Sequence, residues 1–161
     1  MTTHSEIESA AMQPHAPSWR SRLWRYGPLL LWLAFIFFAS TGALSAANTS
    51  RIIEPLLRWL FPNITEAQLA GAHFTMRKLA HFTEYAVLAL LAARAFLSST
   101  KHALYHRWFI CALVLVAVYA LLDEYHQSFV PTRTASIYDS MIDTAGGATA
   151  LVALALWRRR K

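Results

Sequence analysis

Four stretches of large apolar side chains, each of about twenty residues and almost free of charge, constrain this chain more than any motif in it. A helix needs about 20 such residues to cross the roughly 30 Å hydrocarbon core of a bilayer. Within lipid every backbone amide must also be bonded inside its own segment, so a run of this kind folds as a helix. The runs fall at about 26–44, 79–97, 106–125 and 139–157, and they predict an all-α integral membrane protein, a four-helix bundle. With 161 residues, 56% hydrophobic and only 15% charged, the chain has no room for a large soluble catalytic domain and is too apolar for disorder. A single cysteine, Cys111, excludes an internal disulfide and a thiolate metal site.

Between the spans the pattern is also readable. Residues 1–18 have few large apolar side chains and predict a disordered cytoplasmic tail, leaving 19–161 as the domain. In the first run, Tyr26 to Ser40, Pro28 suits the first turn of a helix. The positive start and the small residues Ala43 to Ala47 also fit a signal peptide, against which stand the bulk of the run and the spans that follow. In Arg51 to Phe61, the residues Ile52, Ile53, Leu56, Leu57 and Leu60 share one face, which predicts a short extracytoplasmic helix on the bilayer surface. Asn63 or Thr65 can cap the next helix, whose polar forepart continues unbroken through Leu97. Ser98 to Arg107 reads as a basic loop, and Pro131 marks a turn.

The formal net charge of +6 raises the possibility of nucleic acid, but the cations sit at the ends of the spans. Ten Lys and Arg flank one side (Arg20, Arg22, Arg25, Arg94, Lys101, Arg107 and the four from Arg158 to Lys161), and five flank the other (Arg51, Arg58, Arg77, Lys78, Arg133). The positive-inside rule then places both termini in the cytoplasm, which an even number of spans requires. The expected location is the cytoplasmic (inner) membrane, the expected partners are membrane lipids, and nucleic acid is not one of them. Most of the acids lie on the opposite, outward side.

Two of them are deep. Glu84 lies several residues inside the second span and Asp143 about a turn inside the fourth, where an uncompensated charge costs roughly 2.5–3.5 kcal/mol. Helical spacing puts Lys78, His81, Glu84 and Tyr85 on one face and Glu124 with Gln127 on another. Asp123 aligns with Tyr119 and with His126 or Gln127, and Asp139, Asp143, Gly146 and Ala150 form a third stripe. One outward polar pocket satisfies all three stripes, with Arg133 as its cation. The plainer alternatives are an ion-pair network that only fixes helix packing, solvated helix ends for Asp123, Glu124 and His126, and a close-packing surface for Gly146 and Gly147. His102 and His106, like His4 and His15, have no partner stripe.

The segments Arg77 to Leu91, Asp123 to Asp139 and Asp143 to Gly147, in that order, resemble the VanZ-like family of small bacterial membrane proteins, over about residues 29–156. Carried over by position, the resemblance implies Lys78, His81, Glu84, Tyr85, Glu124, Gln127, Arg133, Asp139 and Asp143 as the characteristic polar residues, with Gly146 or Gly147 after them. Ser40 matches a serine that follows the first span in the family. Thr132 departs from a common glycine and Asp143 from a frequent asparagine, which makes this site more acidic. The family's founding member is associated with low-level resistance to the glycopeptide teicoplanin, so the resemblance implies an envelope role and supplies no reaction.

Two functional classes follow. In the first, the pocket binds the head group of an envelope lipid or lipid-linked precursor, with Arg133 and Lys78 on phosphate, and affects glycopeptide susceptibility. In the second, an intramembrane enzyme acts on a lipid-linked substrate, with Glu84 or Glu124 as general base and His81 as proton partner. Spacing allows His81, Glu84, Glu124, His126, Asp139 and Asp143 to reach a divalent metal, but two histidines among carboxylates specify no cofactor. Haem between His81 and His126 is disfavoured by the acids beside both.

Overall fold

A computed structural model describes residues 18–41, 46–131, 133 and 135–161, without the side chains of 46–49 and 52. The tail up to residue 17, the small residues 43–45 of the signal-peptide alternative, and Thr132 lie outside the described residues. Among the described residues six helices follow in order: α1 Trp19–Ser40, α2 Ala46–Leu60, α3 Glu66–Leu97, α4 His102–His106, α5 Trp108–Gln127 and α6 Ile137–Arg159. There is no strand among the described residues, and α1, α3, α5 and α6 are long and apolar enough to cross a membrane. The chain is a multi-pass membrane bundle.

Helix α1 begins seven residues before the apolar run, so Pro28 sits in its interior and not in its first turn. The proline has no N–H for the carbonyl of Trp24, four residues back. That carbonyl is taken instead by Arg94 of α3, whose Nη2 donates to it at 3.0 Å, with Nη1 to the Arg25 carbonyl at 3.4 Å. The basic loop also contains a helix the sequence reading omits: α4 brings the exposed rings of His102 and His106, one turn apart, to 4.0 Å.

Helix α3 spans 32 residues, about 48 Å at 1.5 Å per residue, well beyond the roughly 30 Å a bilayer core requires. Its N-terminus carries a capping box, in which Thr65 Oγ1 accepts from the Gln68 amide at 3.3 Å and Gln68 Oε1 accepts from the Thr65 amide at 2.9 Å. Arg58 of α2 bridges Glu54 at 2.9 Å and Glu66 at 2.7 Å, which joins α2 to the head of α3.

Helix α3 is also the hub, packing most heavily on α6 and also on α5 and α1. Small side chains permit the close approach: Ala89, Ala92 and Ala93 of α3, Ala112 and Ala120 of α5, and Gly146 and Gly147 of α6 are all buried. A Cβ added at Gly146 would stand 2.2 Å from the Phe82 carbonyl oxygen, and one at Gly147 would stand 2.6 Å from Cγ1 of Val116. The large apolar residues Leu30, Leu31, Phe37, Ile110, Val114, Leu121 and Leu156 are exposed, as a surface facing lipid requires. At one end of the bundle Tyr26 and Ser99 hydrogen-bond at 3.2 Å and Arg158 lies over the Trp108 ring, so the basic segments cluster there. The polar stripes meet at the other end.

Candidate functional site

At that polar end, helices α1, α3 and α5 and the turn before α6 enclose a cavity of about 150 Å³. Its wall includes Ser40 from α1, Arg77, His81 and Glu84 from α3, Asp123 and Gln127 from α5, and Arg133 from the turn. The spacing in α3 explains its share: residues 77, 81 and 84 are four and three apart and lie on one helical face. Residues 123 and 127 do the same for α5.

Asp123, 6% exposed, is the most firmly held of the acids. Ser40 Oγ donates to its Oδ1, and Gln127 Nε2 donates to its Oδ2 at 2.9 Å. Asp143 is 0% exposed and neither of its carboxylate oxygens has a hydrogen-bond partner. Its Oδ1 lies 3.4 Å from His81 Nδ1, which is likewise unpartnered. One ligand-capable atom from each of His81, Asp123 and Asp143 lies within 4.8 Å of the others. The close approach of α6 at Gly146 to the α3 backbone at Phe82 sets this convergence, because Asp143 and His81 stand within a turn of that contact. Tyr85 is fully buried and its hydroxyl has no partner.

The cations divide. Lys78 does not serve Glu84; it pairs with Asp139 in the first turn of α6. Arg133 donates from Nη2 to the carbonyls of Ala39 at 2.5 Å and Thr41 at 3.2 Å, and so closes the C-terminal end of α1, where a positive charge is favoured. Its Nε is buried without a partner, as is the Nε of Arg77. Burial, together with the neighbouring Arg77 guanidinium, pulls the Arg133 pKa below its ordinary value.

The structure thus brings His81, Glu84, Gln127 and Arg133 of the expected residues to one cavity, sets Asp143 against His81, and sends the others elsewhere. Glu124 turns toward α6, where Oε2 accepts from the Ser136 amide at 2.6 Å. His126 packs on Phe37, ring centroids 4.7 Å apart, so it does not join His81 as a haem pair would need. Among the described residues no ion pair links Glu84 to Arg133, though both face the cavity. Sequence reasoning put Asp123 on a polar stripe, with a solvated helix end as its alternative, without naming it a binding residue; it took Arg77 for a topology charge and Ser40 for a family match alone. For Arg77 the available signal was its four-residue spacing to His81.

The family model for VanZ/LLP1 matches residues 26–158, nearly the whole chain. No curated protein and no solved structure matches the chain.

Proposed function

The chain belongs to the VanZ/LLP1 family, and from that premise we propose that this multi-pass protein sits in the cytoplasmic membrane, termini inward, and binds the phosphate-bearing head group of an envelope lipid or lipid-linked precursor in its polar cavity. One observation carries this reading: Arg77 and Arg133 line the same cavity and each keeps a buried, unpartnered Nε–H. Two guanidiniums that line one cavity repel each other, and an anion between them both removes the repulsion and accepts the spare donors. Lys78, engaged by Asp139, gives up the phosphate role to Arg77. At about 150 Å³ the cavity has room for one phosphate group and water around it, and the rest of a head group would extend from its mouth. Head-group capture at this surface is the route by which the protein would alter glycopeptide susceptibility.

Native mass spectrometry of the protein in mild detergent tests the reading with a short-chain polyprenyl phosphate against the matching polyprenol. The phosphate should be retained at least tenfold more tightly, and Arg77→Gln with Arg133→Gln should abolish the difference. Equal retention of both lipids by the unaltered chain would exclude phosphate recognition.

A second reading, an intramembrane enzyme on a lipid-linked substrate, draws on Glu84: its carboxylate faces the same cavity as His81. It requires turnover of the bound lipid that Glu84→Gln removes while binding persists.

A further inference from the structure

We propose that His81, Asp123 and Asp143 form a binding site for one divalent transition-metal cation at the inner edge of the polar cavity. The claim is independent of the head-group reading and rests on a different part of the wall. Three side chains on three separate helices, α3, α5 and α6, converge there with a ligand-capable atom each within 4.8 Å of the others. Convergence of acids is not enough, and the second observation is the state of Asp143. Its side chain is wholly buried, neither oxygen makes a hydrogen bond, and its ion-pair contact is with His81, itself a member of the cluster. A carboxylate without a cation, a proton or donors is among the costliest groups to bury.

The geometry favours a cation. The 3.4 Å between His81 Nδ1 and Asp143 Oδ1 exceeds the ordinary 2.7–3.2 Å of an N–H···O hydrogen bond. It matches the edge of a tetrahedron whose vertices lie 2.0–2.1 Å from a central ion, about 3.4 Å. Asp123 has the arrangement expected of a carboxylate ligand: Ser40 and Gln127 each donate to one oxygen, fixing the group's plane and leaving lone pairs for a metal. Charge balances as well, since two aspartates and a neutral imidazole cancel a dipositive ion. One nitrogen and two oxygen donors without thiolate suit zinc, manganese or iron(II) rather than copper(I). Three protein ligands leave a coordination position for water or an anion.

The test uses full-length protein purified in mild detergent through a tag without histidine. His102→Ala and His106→Ala are present throughout to remove the exposed histidine pair on α4. After chelator treatment the protein is dialysed against micromolar Zn2+ and, separately, Co2+. We expect one zinc per chain by elemental analysis and visible Co2+ ligand-field bands. Asp143→Asn and His81→Gln should each weaken binding at least tenfold, and Glu66→Gln, on the exposed head of α3, should not. A single gel-filtration peak certifies each variant as folded, and if Asp143→Asn fails that criterion His81→Gln decides alone. Absence of stoichiometric metal, or metal retained unchanged in the folded variants, overturns the proposal. Polyprenyl phosphate retention, read on the metal-free protein, keeps this failure distinct from that of the head-group reading.

Discussion

The two ends of the bundle are built from similar residue types and treat them in opposite ways. At the basic end, Arg94 gives its donors to the carbonyls of Trp24 and Arg25, Tyr26 meets Ser99, and Arg158 covers Trp108. The charges there are peripheral, and beneath them Ala92, Ala95 and Phe96 form dry packing. At the polar end Asp123, Glu124 and Asp143 are buried, and Tyr85, His81, Asp143, Arg77 and Arg133 all retain polar atoms without partners. Native interiors leave few buried polar groups unsatisfied. The deficit concentrated at the second end is what the proposed phosphate and metal ligands would satisfy.

The head-group proposal puts the polar end on the outer side of the membrane, and the largest expected effect tests that. In a Cys111→Ser background, an impermeant thiol reagent applied to intact cells should label Asn48→Cys, at the start of α2, and spare Thr100→Cys, beside α4. Labelling only of Thr100→Cys would turn the cavity toward the cytoplasm and remove the reading of an envelope head group.

The same substitution at two glycines sharpens the contrast. Gly146→Ala at the polar end drives a methyl to 2.2 Å from a backbone carbonyl, which no side-chain rotation relieves. Thermal stability in detergent should fall by about 1–3 kcal/mol or more, because the helices must part. Since Gly146 also sets the distance from Asp143 to His81, Zn2+ binding should weaken with it. Gly27→Ala, within α1 near the basic end, would meet Leu23 Cδ1 at 3.6 Å and Cγ at 3.9 Å, ordinary contacts, but it precedes Pro28, whose ring crowds a Cβ on the preceding helical residue. It should change stability by no more than about 0.5 kcal/mol, because alanine's gain over glycine in a helix is offset by the crowding of its Cβ against the following proline. Equal effects at both positions would mean that α3 and α6 are not clamped at Gly146.

How much of this was legible beforehand depends on period. The four spans, the Thr65 cap and the long α3 are written in hydrophobic run length and in local capping chemistry, both visible along the chain. So is the grouping of His81 with Glu84, because it lies on one helix. What crosses between helices was not: Lys78 choosing Asp139 over Glu84, Arg133 binding carbonyls of α1, and Ser40 of α1 donating to Asp123. Those choices depend on the rotation of each helix about its axis, which the glycine contacts fix and periodicity leaves free. The start of α1 was missed for a related reason, since Pro28 breaks a helix unless something distant repairs it.

That repair supplies the smallest effect and the closest test of the claim that the basic end is satisfied structure. Pro28 deprives the Trp24 carbonyl of its donor, and Arg94 Nη2 replaces it at 3.0 Å from another helix. Arg94→Met keeps the length of the side chain and removes the donors. The pair is exposed, so water recovers part of the loss and thermal stability should fall by only about 0.5–1.5 kcal/mol, the net worth of an ordinary hydrogen bond. Pro28→Ala restores the N–H that the carbonyl lacks. In that background Arg94→Met should cost less than half as much, because the carbonyl no longer depends on the arginine. A double-mutant cycle on melting in detergent reads the coupling directly. If the two changes instead add, Arg94 stabilises the basic end through its charge or its packing, and the bond to Trp24 is incidental to the helix that Pro28 interrupts.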